Sequence, residues 1–83
     1  MTITILFFST LRGITESEQM TMDLDDKSSP TVADVLERLY IVYPKLRDWD
    51  DQVLLALDQA YVGREAPIGP GQELAVMPPV QGG

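Results

Sequence analysis

The residue types able to do chemistry are few, and they concentrate at one end of the chain. The 83-residue sequence has no cysteine and no histidine. Thiolate nucleophiles, imidazole bases, disulfides and nearly all zinc sites are thereby excluded. No acidic run has calcium-loop spacing with its central glycine. Gly69-Pro70-Gly71 lacks the Lys-Ser/Thr of a phosphate-binding loop. What remains is the end, Pro78-Pro79-Val80-Gln81-Gly82-Gly83. Glycine has no Cβ, so a closing Gly-Gly offers an unhindered carboxylate that can thread a narrow passage. The prolines before it lack N–H donors and favour extended backbone. Six extended residues span about 20 Å, enough to reach a buried centre in another protein. By itself, a closing Gly-Gly is equally an ordinary polar chain end.

The elements behind this end must belong to one small domain. At this size about 60% of the unfolded chain's surface is buried on folding. The hydrophobic content of 45% suits a globular domain and is too high for a disordered one. No apolar run approaches the roughly 20 residues that span a bilayer. The opening Met1 to Leu6 has no basic segment or cleavage site. A cytoplasmic protein is expected. The net charge of −7 disfavours nucleic acid and membrane surfaces as partners. It suits a partner with a basic docking face, or simply solubility.

Thr2 to Ser9 reads as a strand with Ile3, Ile5 and Phe7 on one face and Thr4, Leu6 and Phe8 on the other. A loop begins at Arg12-Gly13, and Leu11 to Ser17 connects to a second strand, Glu18 to Leu24. Thr31 is an N-cap, with Asp34 at the third helical position. Val32, Val35, Leu36, Leu39 and Tyr43 follow the spacing of an amphipathic helix that Pro44 stops. Lys45 to Asp51 is a polar connector whose Trp49 covers one end of the core. Val53 to Leu57 reads as a strand buried on both faces. Asp58-Gln59-Ala60 turns the chain into a short return strand at Tyr61-Val62, Gly63 to Gly71 is loop, and Glu73 to Met77 is the last strand.

This order predicts an α+β chain of the β-grasp, ubiquitin-like class, a mixed sheet of about five strands with one main helix across it. Such folds place the first and last strands side by side and parallel at the sheet centre. Residues 1–78 are expected to form the domain and 79–83 a flexible Gly-Gly tail.

Leu6-Phe7-Phe8-Ser9 with Leu11-Arg12, Pro30-Thr31-Val32, Ala56-Leu57-Asp58-Gln59 and Met77-Pro78-Pro79-Val80-Gln81-Gly82-Gly83 resemble the small subunit of molybdopterin synthase (molybdopterin-converting factor subunit 1). That family consists of ubiquitin-like sulfur carriers. The resemblance covers essentially the whole chain, and Pro-Pro-Val-x-Gly-Gly is its most specific part. It implies that an adenylyltransferase related to ubiquitin-activating enzymes uses ATP to adenylate Gly83. A sulfur donor protein then converts the end to a thiocarboxylate. The carrier would dock on the large synthase subunit, two carriers flanking a large-subunit dimer in a heterotetramer, and donate sulfur to a pterin precursor. It would not be catalytic by itself and would hold no permanent cofactor or metal. Pro79, Val80, Gln81 and Gly82 would form the inserted tail. Phe8, Tyr61, Met77 and Pro78 match the family's apolar docking patch, although an aromatic residue is common at the position of Met77. Asp58 stands where asparagine is frequent, and Arg12 is either a solvated loop charge or a contact to the large subunit. Two alternatives share the activation step: a sulfur carrier for thiamin thiazole synthesis, and a protein modifier conjugated to lysines through Gly83. A fourth reading is a docking domain whose Gly-Gly is incidental.

Deleting Gly82-Gly83 is expected to leave the fold stable, since such an end contributes little to a core, and to abolish sulfur transfer. Molybdopterin formation by the truncated chain would contradict this.

Overall fold

Ile3, Ile5 and Phe7 are each at most 1% exposed, whereas Leu6 between them is only half-buried. The period-two alternation of the sequence is thus the two-faced strand that it predicts. The computed structural model describes residues 1–25 and 29–79. Strand β1 (Thr2–Phe7) pairs antiparallel with β2 (Gln19–Asp23), setting Ile3 opposite Met22 and Ile5 opposite Met20. Between them lies α1 (Thr10–Thr15).

Helix α1 replaces the loop expected from Arg12-Gly13. Two threonines and a glycine in six residues are poor helix formers, so propensity alone does not predict it. Burial overrides propensity here. Leu11 is fully enclosed, and the buried Thr15 hydroxyl faces the carbonyls of Leu11 (3.3 Å) and Ser17 (2.9 Å). Glu16 closes the helix in the left-handed region, with its N–H on the Arg12 carbonyl.

Helix α2 (Val32–Val42) begins where the sequence places it. The Thr31 N–H donates to the Asp34 carboxylate at 2.8 Å, half of a capping box. The next two N–H groups, of Val32 and Ala33, donate to the carbonyls of Ala66 (2.9 Å) and Arg64 (2.8 Å). Donors at a helix start that lack intrahelical partners are satisfied in this way by the loop before the last strand. Val32, Val35, Leu36 and Leu39 are buried against Ile3, Ile5, Phe7, Leu74 and Val76 in one core. Each large apolar side chain buried there contributes about 1.5–3 kcal/mol. Tyr43, at the end of α2, packs edge-on to Phe7 with ring centres 5.9 Å apart. The expected polar connector is a 3-10 helix, Pro44–Trp49, pinned by the buried Leu46, with Trp49 lying against the core.

Three strands complete the sheet: β3 (Leu54–Leu57), β4 (Ala60–Tyr61) and β5 (Glu73–Met77). The order is β2-β1-β5-β3-β4, and β5 runs parallel to β1 with Ile5 beside Leu74 and Phe7 beside Val76. The expected central parallel pair is therefore present. Asp58 and Gln59 join β3 to β4 with φ of 48° and 73°, the two-residue turn whose twist suits a hairpin. The Asp58 carboxylate accepts the Glu73 N–H and the Gln72 side-chain amide, each at 3.0 Å. Asp58 thereby fastens its turn to β5.

One polar junction ties α2 to the segments flanking β3 and β4. The Tyr40 hydroxyl donates to the Asp50 carboxylate, and Arg64 donates to the same oxygen at 2.8 Å and to the Asp50 carbonyl. The Arg47 guanidinium lies 4.9 Å from the Tyr40 ring centre. Burial, and then the hydrogen bond and negative charge of Asp50, push the Tyr40 phenol up to about 12. The hydrogen bonds from Tyr40 and Arg64 hold Asp50 below the usual carboxylate range. A raised phenol stabilises the fold below pH 10 and loses that contribution as pH rises toward 12. The lowered carboxylate acts oppositely, its contribution lapsing as pH falls below the ordinary carboxylate range. Thermal unfolding followed against pH should show a drop between pH 10 and 12 that is reduced in Tyr40→Phe, and an acid-side drop that is reduced in Asp50→Asn. Unchanged profiles would remove the junction from the stability of the fold.

Candidate functional site

Side chains that pair across a sheet point to the same face. On the face away from α2, the register aligns Leu6 of β1, Ala75 of β5, Ala56 of β3 and Tyr61 of β4 in one row. One step along, Met77 stands opposite Leu54. Phe8 follows Phe7 at the end of β1, its N–H bonded to the Val76 carbonyl at 3.3 Å. Toward the other end the same face is polar, with Thr2 beside Asp23 and Thr4 between Thr21 and Glu73. The open face is therefore divided into a polar half and an apolar half. Because β1 and β5 are parallel, the apolar half lies at the sheet end where Pro78 and Pro79 leave β5.

Phe8 is 36% exposed and Tyr61 76%, while Met77, Pro78 and Pro79 are half-buried. None of the five belongs to the core between sheet and helix. Val80, Gln81, Gly82 and Gly83 lie outside the described residues. A Phe-Phe pair in which one ring is 1% exposed and the next 36% is what alternation produces at a strand end. An exposed apolar patch of this kind is the usual mark of an interface.

Two arginines border the patch. Arg12, on α1, donates to the Phe7 carbonyl at 3.2 Å, pairs with Glu18 at 3.5 Å and holds its guanidinium 6.0 Å from the Phe8 ring centre. It is thus a tethered cation beside Phe8. At the other border a groove of about 540 Å³ is lined by Val53, Leu54, Leu55, Tyr61 and Arg64. Among the described residues, no group of three or more carboxylates is arranged to hold a metal ion, and no helix is long and apolar enough to cross a membrane.

Leu6, Leu54, Ala56 and Ala75 escape the sequence reading as members of the patch. Alternation places Leu6 with Phe8 and Ala75 with Met77. The signal lost is cross-strand register, which decides that these side chains meet in one row.

The mixed five-stranded sheet, with parallel strands at its centre and one helix across it, defines a ubiquitin-like β-grasp protein. The structure of SAMP1 from Haloferax volcanii matches it with a TM-score of 0.86, at 26% identity and with 99% of each chain covered. The chain belongs to the ThiS family, whose profile matches residues 5–83, and so to the ubiquitin-like sulfur carriers. The molybdopterin synthase sulfur carrier subunit of Arabidopsis thaliana is 31% identical over 81 residues, covering 98% of this chain and 82% of the relative. The same fold occurs in a protein–protein complex of subunits 1 and 2 of the molybdopterin-converting factor from Helicobacter pylori. That likeness has a TM-score of 0.71 at 19% identity over the full length of both chains.

Because Phe8 lies outside the core, Phe8→Glu should shift the unfolding free energy by only about 0.5 kcal/mol. It should weaken binding to a partner on this face at least tenfold, since a charge would enter an apolar contact. Titration with a partner protein that docks on this face checks the second effect and thermal unfolding the first.

Proposed function

We propose that the chain is the sulfur carrier of molybdopterin synthase. The observation that carries this reading is the parallel pairing of β1 with β5. It sets Phe8 and Met77 at the sheet end from which Pro78-Pro79 lead toward Gly82-Gly83. An apolar patch suited to docking then lies at the sheet end from which Pro78-Pro79 depart, which supports this reading. The kinship with the Arabidopsis carrier subunit supports the same acceptor.

The chemistry follows from a chain with neither cysteine nor histidine. The Gly83 carboxylate attacks the α-phosphate of ATP on an activating partner enzyme, and pyrophosphate leaves. A hydrosulfide-level sulfur from a donor protein then adds to the acyl carbon, and AMP departs with the C–O bond. One carboxylate oxygen is thereby replaced by sulfur with no change in the oxidation state of carbon. The resulting thiocarboxylate gives the protein a sulfur nucleophile that none of its side chains supplies. Docked on the large subunit through Phe8, Tyr61, Met77 and Pro78, the carrier delivers Pro79 to Gly83 into that subunit's active site. There the thiocarboxylate sulfur bonds to a carbon of the pterin precursor in place of an oxygen substituent, and water then cleaves the acyl carbon–sulfur bond, leaving sulfur on the precursor and a carboxylate on Gly83. Two carriers on a large-subunit dimer would make the working heterotetramer. The complex of subunits 1 and 2 from Helicobacter pylori supports pairing with a large subunit.

A second reading, covalent attachment to other proteins through Gly83, is favoured by the similarity to SAMP1, a small archaeal modifier protein. Both readings share the adenylate and part at the nucleophile.

Intact mass spectrometry after incubation with ATP, the activating enzyme and a sulfur donor separates them. Exchange of one terminal oxygen for sulfur is expected. An unchanged mass would overturn the carrier reading, and isopeptide-linked conjugates without thiocarboxylate would move the assignment to the modifier.

A further inference from the structure

Tyr61, the most exposed aromatic side chain among the described residues, stands on the least supported strand. Strand β4 has two residues and pairs with β3 alone. With only two paired residues, β4 has its placement set largely at its ends. The turn end is fastened by Asp58 to β5. The other end leaves through Val62, whose N–H reaches the Leu55 carbonyl at 3.1 Å, and is then gripped at Arg64.

Arg64 is held by both its side chain and its main chain. Its guanidinium forks onto Asp50, meeting the carboxylate at 2.8 Å and the main-chain carbonyl. Asp50 in turn receives the Tyr40 hydroxyl from α2. The Arg64 carbonyl accepts the Ala33 N–H in the first turn of the same helix. These bonds fix the exit of β4, three residues after Tyr61, against the rigid body of the domain. The Arg64 and Asp50 side chains are 40% and 42% exposed, a degree at which an ion pair adds little to global stability. A planar fork on a fixed acceptor does, however, define direction. Tyr61 and Arg64 both line the same groove.

We propose that Arg64 is a positioning residue for partner docking, its fork on Asp50 holding the exit of β4 so that Tyr61 stands in the apolar row with Leu6, Ala56 and Ala75. This rests on the reading of that row as the docking face for the large synthase subunit.

The test is a double-mutant cycle on the full chain, with affinity for the large synthase subunit of the same organism measured by calorimetry. Tyr61→Ala should lower affinity, and Arg64→Ala should lower it about fivefold. Arg64→Ala in the Tyr61→Ala background should add almost nothing. Arg64→Lys keeps the charge without the fork and should restore only part of the affinity. A purely structural role would lower the unfolding temperature yet leave the two substitutions additive, and additivity overturns the proposal. An unchanged affinity in Tyr61→Ala would instead remove the docking face itself. If Arg64→Ala fails to fold, Asp50→Asn weakens the fork from its other side and must show the same non-additivity with Tyr61→Ala.

Discussion

Strand β5 has β1 on one side and β3 on the other, and most of the molecule depends on that position. Leu74 and Val76 touch the centre of the core from it, while Ala75 and Met77 join the open face. Pairing β5 parallel to β1 requires a connection that crosses the sheet, and α2 with its buried row of Val32, Val35, Leu36 and Leu39 provides it. Two main-chain carbonyls of the loop before β5 satisfy N–H groups at the start of α2. Sheet, helix and loop are therefore mutually required. Removing the parallel pair would leave two hairpins with no common core.

That arrangement also accounts for where function can reside. The core side of the sheet is fully used by packing, and the polar half of the open face is turned to water. The apolar half lies beside the strand end that leads into Pro78-Pro79. Alanines at positions 56 and 75 keep the centre of this row low, with larger side chains at Leu6 and Tyr61 on either side. Shape as well as polarity therefore distinguishes it. Tethered arginines at each border, Arg12 and Arg64, place positive charge beside an apolar surface on a protein of net charge −7.

Much of this was legible in the residues. Strong alternation gave β1 and β5, and Thr31, Asp34 and the i, i+3, i+4 row gave α2 with its cap. Continuous Val, Leu and Ala gave β3. Helix α1 was not legible, because its residues disfavour helix and only the burial of Leu11 decides its conformation. The 3-10 helix is similar, being set by Pro44 and the pocket for Leu46 rather than by periodicity. For the site, alternation was enough to turn Phe8 and Met77 away from the core. The row through Leu6, Ala75, Ala56 and Tyr61 needed register, and the junction of Tyr40, Asp50 and Arg64 joins positions too far apart in sequence for spacing to reveal. Asp58 reads in the sequence only as part of a turn, and its carboxylate also braces that turn against β5.

The central place of β5 has a consequence for the chain's synthesis. Its pairing with β1 closes a loop of nearly the whole domain, a contact formed at high entropic expense and therefore slowly. Synthesis proceeds from the N-terminus, so the strand that completes the sheet is the last to emerge. A molecule truncated before Glu73 lacks the middle of its sheet and is left with exposed apolar surface. Translation through β5 is thus read out by folding itself. A chain that reaches the native state has therefore been translated through the core residues of β5, just short of Pro78-Pro79.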